Sequence, residues 1–227
     1  MRKNPDYIII FLVFTKTIMA KSNLKNLKKI FDFLAKIEKL KSAWRYNKTT
    51  SGRRESSADH SWRLALFTFI IAAELKLRIN VNRAVKIALV HDLAESLTGD
   101  IDALKIAEKK FSKKEKEKRE IKAITTLRKT LPIAIGKEIS ALWHEYNNGK
   151  TKEAKFVKSL DKIETLTQLA ESGYKIYDKP EFIANYANKS VSDFPELLPL
   201  LKIVKSKLKA EFRKGNIEWK DEYNSFD

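Results

Sequence analysis

Apolar residues recur every three or four positions along most of this chain, the spacing that lines them up on one face of an α-helix. The first such stripe, in residues 24–41, consists of Leu24, Leu27, Ile30, Phe31, Leu34, Ile37 and Leu40. The same spacing predicts further helices at 58–77, 82–93, 112–131, 135–146, 152–172 and 196–213, and a short helix at 104–111. These elements predict an all-α fold built as a single helical bundle.

Turn-forming and capping residues mark where the predicted helices begin and end. Residues 42–57 interrupt the helical spacing with Asn, Thr, Ser and Gly, so we expect a loop there. Ser112 stands three residues before Glu115, the arrangement of a capping box at the start of a helix. Thr151 is expected to cap the helix that follows it, and Gly173 to end that helix.

The two ends of the chain fall outside the predicted bundle. The apolar run from Tyr7 to Phe14 is far shorter than the ~20 residues that span a bilayer. We therefore expect residues 1–20 to be an N-terminal extension, 21–214 the functional domain and 215–227 a C-terminal tail. The tail is acidic and aromatic, and it either docks on the domain or frays.

Composition narrows the classes of function. Lys and Arg number 46 against 29 Asp and Glu, and the resulting formal charge of +17 attracts anions such as nucleotides. No lysine run is dense enough to form a nucleic-acid arm, so we expect neither a specific nucleic-acid partner nor a membrane partner. The chain has no cysteine, which excludes disulfides, thiolate metal sites and cysteine nucleophiles. A reducing compartment suits such a chain, and we expect a cytoplasmic location.

The candidate chemistry lies on histidine and aspartate. His60 stands near the start of one predicted helix, and His91 and Asp92 end the next. Asp161 lies on the apolar stripe of a third helix, where a carboxylate is costly to bury unless it is paired or bound to a cation. A single buried histidine is more often a hydrogen-bonded core residue. Taken together, two imidazoles and two carboxylates suit a divalent ion such as Zn, Mn, Fe, Co or Ni.

Longer motifs surround these residues. They are Glu55-Ser-Ser-Ala-Asp-His-Ser-Trp62, Ala88-Leu-Val-His-Asp-Leu-Ala-Glu-Ser-Leu-Thr-Gly-Asp-Ile101, Leu142-Trp-His-Glu-Tyr146 and Glu153-Ala-Lys-Phe-Val-Lys-Ser-Leu-Asp-Lys162. In this order, over roughly residues 24–175, they resemble the HD-domain 5′-deoxynucleotidase family. The His-Asp pair is weakly specific by itself. The whole set is strongly specific, since the Thr-Gly-Asp loop follows Asp92 at a fixed distance.

The resemblance implies an HD-domain helical bundle that holds one divalent metal ion, which could be Co, Mn, Zn, Fe, Ni or Mg. The family hydrolyses nucleoside 5′-monophosphates, often the deoxy forms, and the resemblance also suggests a homodimer. By motif match the metal ligands correspond to His60, His91, Asp92 and Asp161.

The same match assigns the remaining site residues. Glu95 corresponds to the catalytic glutamate of the family, and Asp100 to the carboxylate near the sugar. Arg45 stands where the family has an arginine for the substrate, followed here by Tyr46 where tryptophan is frequent. This departure leaves the sugar selectivity open. As a loop carboxylate, Asp100 is also expected to repel a second phosphate and so to favour monophosphates.

Two other functions stay open at this stage. One is hydrolysis of another nucleotide, such as a deoxynucleoside triphosphate or an alarmone, by the same superfamily. The other is non-catalytic nucleic-acid binding by lysine-rich helix faces. The third histidine, His144, is not required by the motifs, and we interpret it as structural or exposed.

Overall fold

A computed structural model describes residues 23–101, 106–109 and 111–224. The proposed extension at 1–20 lies outside these residues, as do positions 104, 105 and 110 of the short helix predicted at 104–111. The described α-helices are α1 (23–37), α2 (Ser57–Glu74), α3 (Val81–Val90), α4 (Glu95–Thr98), α5 (Lys113–Lys129), α6 (Ile133–Asn148), α7 (Lys152–Ser172), α8 (Pro180–Asn185), α9 (Asn188–Ser192) and α10 (Leu198–Lys214). Short 3-10 helices occupy Glu38–Ser42, Tyr174–Ile176, Pro195–Leu197 and Asp221–Asn224. The all-α prediction is confirmed.

The segment predicted as a loop at 42–57 contains a small antiparallel hairpin instead. Its strands are β1 (Trp44–Lys48) and β2 (Arg54–Ser56), and their register is irregular, as in a β-bulge. Gly52 in the connecting turn has φ +86°, a conformation that favours glycine. Strand β1 packs against α7, and β2 packs against α2 and the 3-10 helix Glu38–Ser42. The two short strands are therefore held by tertiary contacts.

Helix α7 is the central element of the core. It packs against α2, α3, α6, α10 and β1. Because neighbours surround it, apolar side chains such as Phe156, Leu160 and Ile163 are completely buried along it. The polar residues Asp161 and Glu164 on the same helix are buried as well, so each needs a partner within the fold.

Helix α2 begins with a capping box that the sequence patterns did not predict. Ser56 Oγ accepts a hydrogen bond from the Asp59 amide at 3.1 Å, and Asp59 Oδ2 accepts one from the Ser56 amide at 2.9 Å. The capping box predicted for α5 is wrong, because Ser112 makes no side-chain cap bond. Glu115 instead accepts a hydrogen bond from Arg119 one turn later, at 2.5 Å.

Two further boundary predictions concern α7 and the tail. Thr151 caps α7 by accepting a hydrogen bond from the Ala154 amide, as predicted. The described part of the tail docks rather than frays: the rings of Trp219 and Tyr223 pack against Phe212 at 5.0 and 6.4 Å between centroids.

Among the described helices, none combines the length and the apolar character that a bilayer-spanning segment requires.

Ser56 and Ser112 both stand at the N-cap of a helix, but only the buried Ser56 bonds its helix through the side chain, so Ser112 serves as the control. We expect Ser56→Ala to lower the free energy of unfolding by about 1 kcal/mol, because it removes half of the capping box. Ser112→Ala should leave it unchanged. Urea unfolding of both variants measures the difference, and equal effects would contradict this account of α2.

Candidate metal centre and substrate cleft

The two buried histidines come from different helices and meet with their rings 5.2 Å apart. His60 lies in the first turn of α2, and His91 directly follows the last residue of α3. His91 Nδ1 lies 2.8 Å from the carbonyl oxygen of Ala88. Because a carbonyl can only accept, Nδ1 must carry the proton, and the lone pair of Nε2 points into the site.

His60 is fixed from its other side by a chain of buried charges. Its Nδ1 forms a short hydrogen bond with Glu164 Oε2, and Arg63 Nε lies 3.2 Å from Glu164 Oε1. His60 Nε2 lies 3.1 Å from Asp161 Oδ1. Burial and the charge of Arg45 lower the pKa of His60, but Glu164 and Asp161 outweigh them and raise it to about 10. Without a metal ion, a proton on His60 compensates the two carboxylates; a cation bound at Nε2 would replace that proton and leave the one at Nδ1 on the Glu164 side.

The ligand atoms of His60, His91 and Asp92 lie within 4.8 Å of one another. His60 Nε2 and His91 Nε2 are both buried without a hydrogen-bond partner, although carboxylate oxygens of Asp161 and Asp92 lie 3.1 and 3.2 Å away. Bonds of about 2.1 Å to one ion would place ligands at right angles about 3 Å apart. The spacing of His60, His91 and Asp92 therefore fits a divalent ion, and Asp161 Oδ1 lies next to this group, 3.1 Å from His60 Nε2.

Both aspartates are held in the ionised form. Burial raises the pKa of Asp92, but its contacts with His91 and Arg45 lower it well below its usual range. Burial likewise acts on Asp161, and Lys162 and His60 reverse its effect, so that the pKa of Asp161 is also low. Each aspartate can therefore offer an anionic oxygen to a cation.

Asp161 presents its two oxygens to different neighbours. Oδ2 accepts hydrogen bonds from the Tyr146 hydroxyl at 2.6 Å and from Lys162 Nζ at 2.9 Å. Lys162 in turn donates to the Tyr186 hydroxyl at 3.1 Å. These bonds keep Oδ1 directed at His60.

Arg45 on β1 reaches the centre, and each of its three guanidinium nitrogens donates a hydrogen bond. Nε donates to Glu55 Oε2 at 3.1 Å, one terminal nitrogen to Asp92 Oδ2 at 3.3 Å, and the other to Thr165 Oγ1 at 3.2 Å. Burial opposes the charge, but Asp92 and nearby carboxylates raise the pKa of Arg45 well above its usual value. The arginine that the sequence assigns to the substrate thus lies against a candidate metal ligand.

Glu95 is buried at the start of α4, where it accepts a hydrogen bond from Ser57 Oγ at 2.5 Å. Burial raises its pKa well above the usual value, and Asp92 and Asp100 act in the same direction. Lys116 and other cations oppose this shift only in part. A carboxyl group with a raised pKa is suited to taking up and releasing a proton.

Tyr46 and Asp100 line the same cleft as Arg45. The Tyr46 hydroxyl donates to the carbonyl oxygen of Ile176 and accepts from the Asp178 amide at 3.0 Å. This fixes the ring as part of the cleft wall. Asp100 follows the turn at Gly99, whose φ of +68° directs the chain out of α4.

The cleft has a volume of about 1360 Å³. Six sequence-predicted site residues besides Asp161 line it directly: Arg45, Tyr46, His91, Asp92, Glu95 and Asp100. His60 stands behind this wall, completely buried, whereas His144 is exposed on α6. The lysines Lys113, Lys116, Lys158, Lys162, Lys179 and Lys189 also line the cleft.

The sequence patterns missed the buried residues that support the centre: Glu55, Ser57, Glu164 and Thr165. A usable signal existed for one of them. Glu164 lies three residues after Asp161, and Arg63 three residues after His60. Residues three apart share a helix face, so the two helices carry matching pairs of charges.

Comparison with known proteins supports a shared architecture. The family model described as HD domain matches residues 37–199. The chain is 34% identical to the human 5′-deoxynucleotidase HDDC2 over 195 residues, which are 83% of this chain and 88% of the relative. It is 36% identical to the Schizosaccharomyces pombe 5′-deoxynucleotidase hdd1 over 150 residues, 63% and 71% of the two chains.

Solved structures give a similar result. The crystal structure of a predicted metal-dependent phosphohydrolase from Magnetospirillum magnetotacticum superposes with a TM-score of 0.71 at 26% identity. The match covers 86% of this chain and 97% of that one. A conserved hypothetical protein from Pyrococcus furiosus matches with a TM-score of 0.58 at 30% identity, covering 79% and 99%.

The ion pair between the half-buried Arg63 and the buried Glu164 yields a test of the charge network. Arg63→Met should lower the free energy of unfolding by about 3 kcal/mol, because it leaves a buried carboxylate with one partner fewer. Adding Glu164→Gln should recover part of this loss, which a double-mutant cycle by urea unfolding measures.

Arg83 provides the matched control, since it also joins two helices through a carboxylate. It donates to Glu145 at 3.1 Å, but its side chain is 47% exposed. Arg83→Met should therefore cost less than about 1 kcal/mol. Equal costs for the two arginines, or strictly additive effects in the cycle, would contradict the assigned role of Glu164.

Proposed function

The chain belongs to the HD-domain 5′-deoxynucleotidase family of metal-dependent phosphohydrolases, and we propose that it removes phosphate from nucleoside 5′-monophosphates, including the deoxy forms. The observation that carries this proposal is the pair of buried, partnerless Nε2 atoms of His60 and His91 beside ionised carboxylates. A cation would satisfy both nitrogens and the neighbouring carboxylates. His91 and Asp92 also line the cleft that contains Arg45 and Glu95.

In this proposal one divalent ion is held by His60, His91, Asp92 and Asp161. An ion there would supply positive charge to the phosphoryl oxygens and lower the pKa of the attacking water. Its identity among Co, Mn, Zn, Fe, Ni and Mg is left to experiment. Glu164 and the Ala88 carbonyl keep the two imidazoles oriented, whichever ion binds.

Arg45 is proposed to bind the substrate phosphate. The hydrogen bonds from Arg45 to Glu55 and Thr165 hold the guanidinium plane. The terminal nitrogen that donates to Asp92 is the one beside the candidate metal centre. A phosphate beside the centre can accept from that nitrogen without disturbing the other two bonds. A planar fork with fixed orientation favours a charge-assisted contact with phosphate.

Glu95 is proposed to exchange the proton that hydrolysis requires. The oxygen of water bonds to phosphorus and gives up a proton, the bond from phosphorus to O5′ breaks, and O5′ takes up a proton. A buried carboxyl group bonded to Ser57 can hold that proton because its charged form is disfavoured. The products are inorganic phosphate and a nucleoside.

Asp100 and Tyr46 are proposed to face the sugar. Asp100 can accept a hydrogen bond from a sugar hydroxyl, and its charge would repel a further phosphate on the 5′ side. The Tyr46 ring, held by its hydroxyl, offers a flat apolar surface to sugar or base. Hydrolysis of a triphosphate or an alarmone is the alternative that the charge of Asp100 disfavours.

We further propose that the protein is a cytoplasmic homodimer. Helix α2 exposes a stripe of large apolar side chains on the face away from the core, formed by Trp62, Leu66, Phe69 and Ile70. Trp62 alone is 65% exposed. Stripes of this kind favour association with another protein surface, and a second copy of the chain would bury both copies of the stripe at once.

The first test is phosphate release from a panel of ribo- and deoxynucleoside 5′-monophosphates with Mn, Co, Mg, Zn or EDTA. We expect release that depends on the metal and is abolished by Asp92→Ala, since this substitution removes a ligand oxygen. Glu115→Gln, an exposed carboxylate outside the cleft, is the control and should retain activity. Folded protein that releases no phosphate with any metal would refute the proposal, and a preference for triphosphates would refute the role of Asp100.

The second test concerns Glu95. We expect Glu95→Gln to lower kcat by about 10²- to 10⁴-fold, the usual contribution of a general acid or base. Affinity for the ion, measured by calorimetry, should stay near that of the parent protein, because Glu95 is not a proposed ligand. A variant with unchanged kcat would remove Glu95 from the mechanism.

A further inference from the structure

Lys158 is a cation in the cleft wall whose charge the proposed hydrolysis of monophosphates does not use. It stands on α7 three residues before Asp161 and is partly buried. Its Nζ donates to the Asn147 carbonyl oxygen at 3.2 Å and lies 4.9 Å from the centre of the Tyr146 ring. Within residues 23–101, 106–109 and 111–224, no carboxylate forms an ion pair with it.

Positive charge accumulates around this lysine. Burial lowers the pKa of Lys158, and so do the charges of Lys162 and Lys113, which together outweigh the opposing effect of Asp161 and Asp193. Lys162 is compensated by Asp161, but Lys113 shares the cleft wall with Lys158 and has no described carboxylate within ion-pairing distance. An anion in the cleft beside Lys158 would offset this repulsion.

The distance of Lys158 from the metal centre limits which part of a bound nucleotide could carry this anion. The Tyr146 ring lies 4.9 Å from Lys158 Nζ and 5.0 Å from the His91 ring, so the ammonium group is within about 10 Å of the centre of the His91 ring. In a nucleotide, six bonds of about 1.5 Å separate the 5′ phosphorus from a phosphorus on O3′. A substrate with its 5′-phosphate at the centre can therefore bring a 3′-phosphate to Lys158.

We propose that Lys158 and Lys113 form a subsite for a phosphoryl group on the 3′-oxygen of the substrate. The inference rests on the proposed function, since it places the 5′-phosphate at the metal centre. Two substrate types share this chemistry: a nucleoside 3′,5′-bisphosphate and a 5′-phosphorylated dinucleotide. The cleft is large enough, because its volume of about 1360 Å³ exceeds the usual 300–1,000 Å³ of a small-ligand pocket.

The reaction itself is unchanged by the subsite. Water adds to the 5′ phosphorus, the bond to O5′ breaks, and O5′ takes up a proton. Inorganic phosphate leaves, and the 3′-phosphate or 3′-phosphodiester stays on the product. The subsite contributes binding energy only, and this energy must exceed the loss of the hydrogen bond that Asp100 would accept from a free 3′-hydroxyl.

The experiment compares thymidine 5′-monophosphate, thymidine 3′,5′-bisphosphate and the 5′-phosphorylated dinucleotide pTpT as substrates at low ionic strength. In the parent protein we expect kcat/KM to be about tenfold higher for at least one of the two larger substrates, mainly through KM. Lys158→Met should remove this advantage while leaving the monophosphate rate unchanged, because methionine keeps the apolar cover on Tyr146. Lys155→Met, on the same helix outside the cleft, should keep it.

The possible results distinguish which 3′ group binds and whether Lys158 acts on it or on the reacting phosphate. A gain for the bisphosphate alone would identify a terminal 3′-phosphate as the ligand, and a gain for both would include the end of an oligonucleotide. Equal losses for all three substrates in Lys158→Met would assign the lysine to the reacting phosphate and overturn the proposal, as would no advantage in the parent protein.

Failure of the proposed function gives a different signature. If no substrate is hydrolysed, calorimetry of the metal-loaded protein still compares binding of the monophosphate and the bisphosphate. Tighter binding of the bisphosphate that Lys158→Met abolishes would support the subsite even then. Equal affinities would refute it.

Discussion

The burial of several charged groups around one point is the constraint on which the rest of the structure depends. His60, Asp161 and Glu164 are almost completely removed from water, and each would destabilise the fold without a partner. The partners come from distant parts of the chain: Arg63 lies behind Glu164, and Arg45 in the hairpin lies beside Asp92. The bundle brings these elements together around α7, so folding and assembly of the site are one process.

Two kinds of residue surround the centre and serve different purposes. One kind orients the groups that face the cleft, as Glu164 does for His60 and Glu55 for Arg45. The other kind faces the cleft itself and includes Glu95, Tyr46 and the lysines. This division places the rigid bonds inside the protein and leaves the cleft side available for a ligand, the organisation that precise catalysis requires.

Much of the fold followed from the sequence, because its signals were local. Helix α7 matches its prediction at both ends, since Thr151 and Gly173 mark its limits by short-range chemistry. The hairpin was not predicted from the sequence, because its short strands are stabilised by packing on distant helices. Residues three apart on one helix were visible in the sequence, whereas the contact of Glu164 with His60 joins positions 104 residues apart. The structure brings His60, His91 and Asp92 together as expected, but their role as ligands remains a prediction.

The central helix also restricts how the length of this chain can vary. Between Lys158 and Thr165, one stretch of α7 presents residues to the cleft, to His60 and to Arg45. Each residue added to a helix rotates everything beyond it by about 100° and advances it by about 1.5 Å. A single insertion or deletion there would turn either Asp161 or its neighbours away from the centre. Divergence in this segment should therefore proceed by substitution, while changes in length accumulate in the connections between helices.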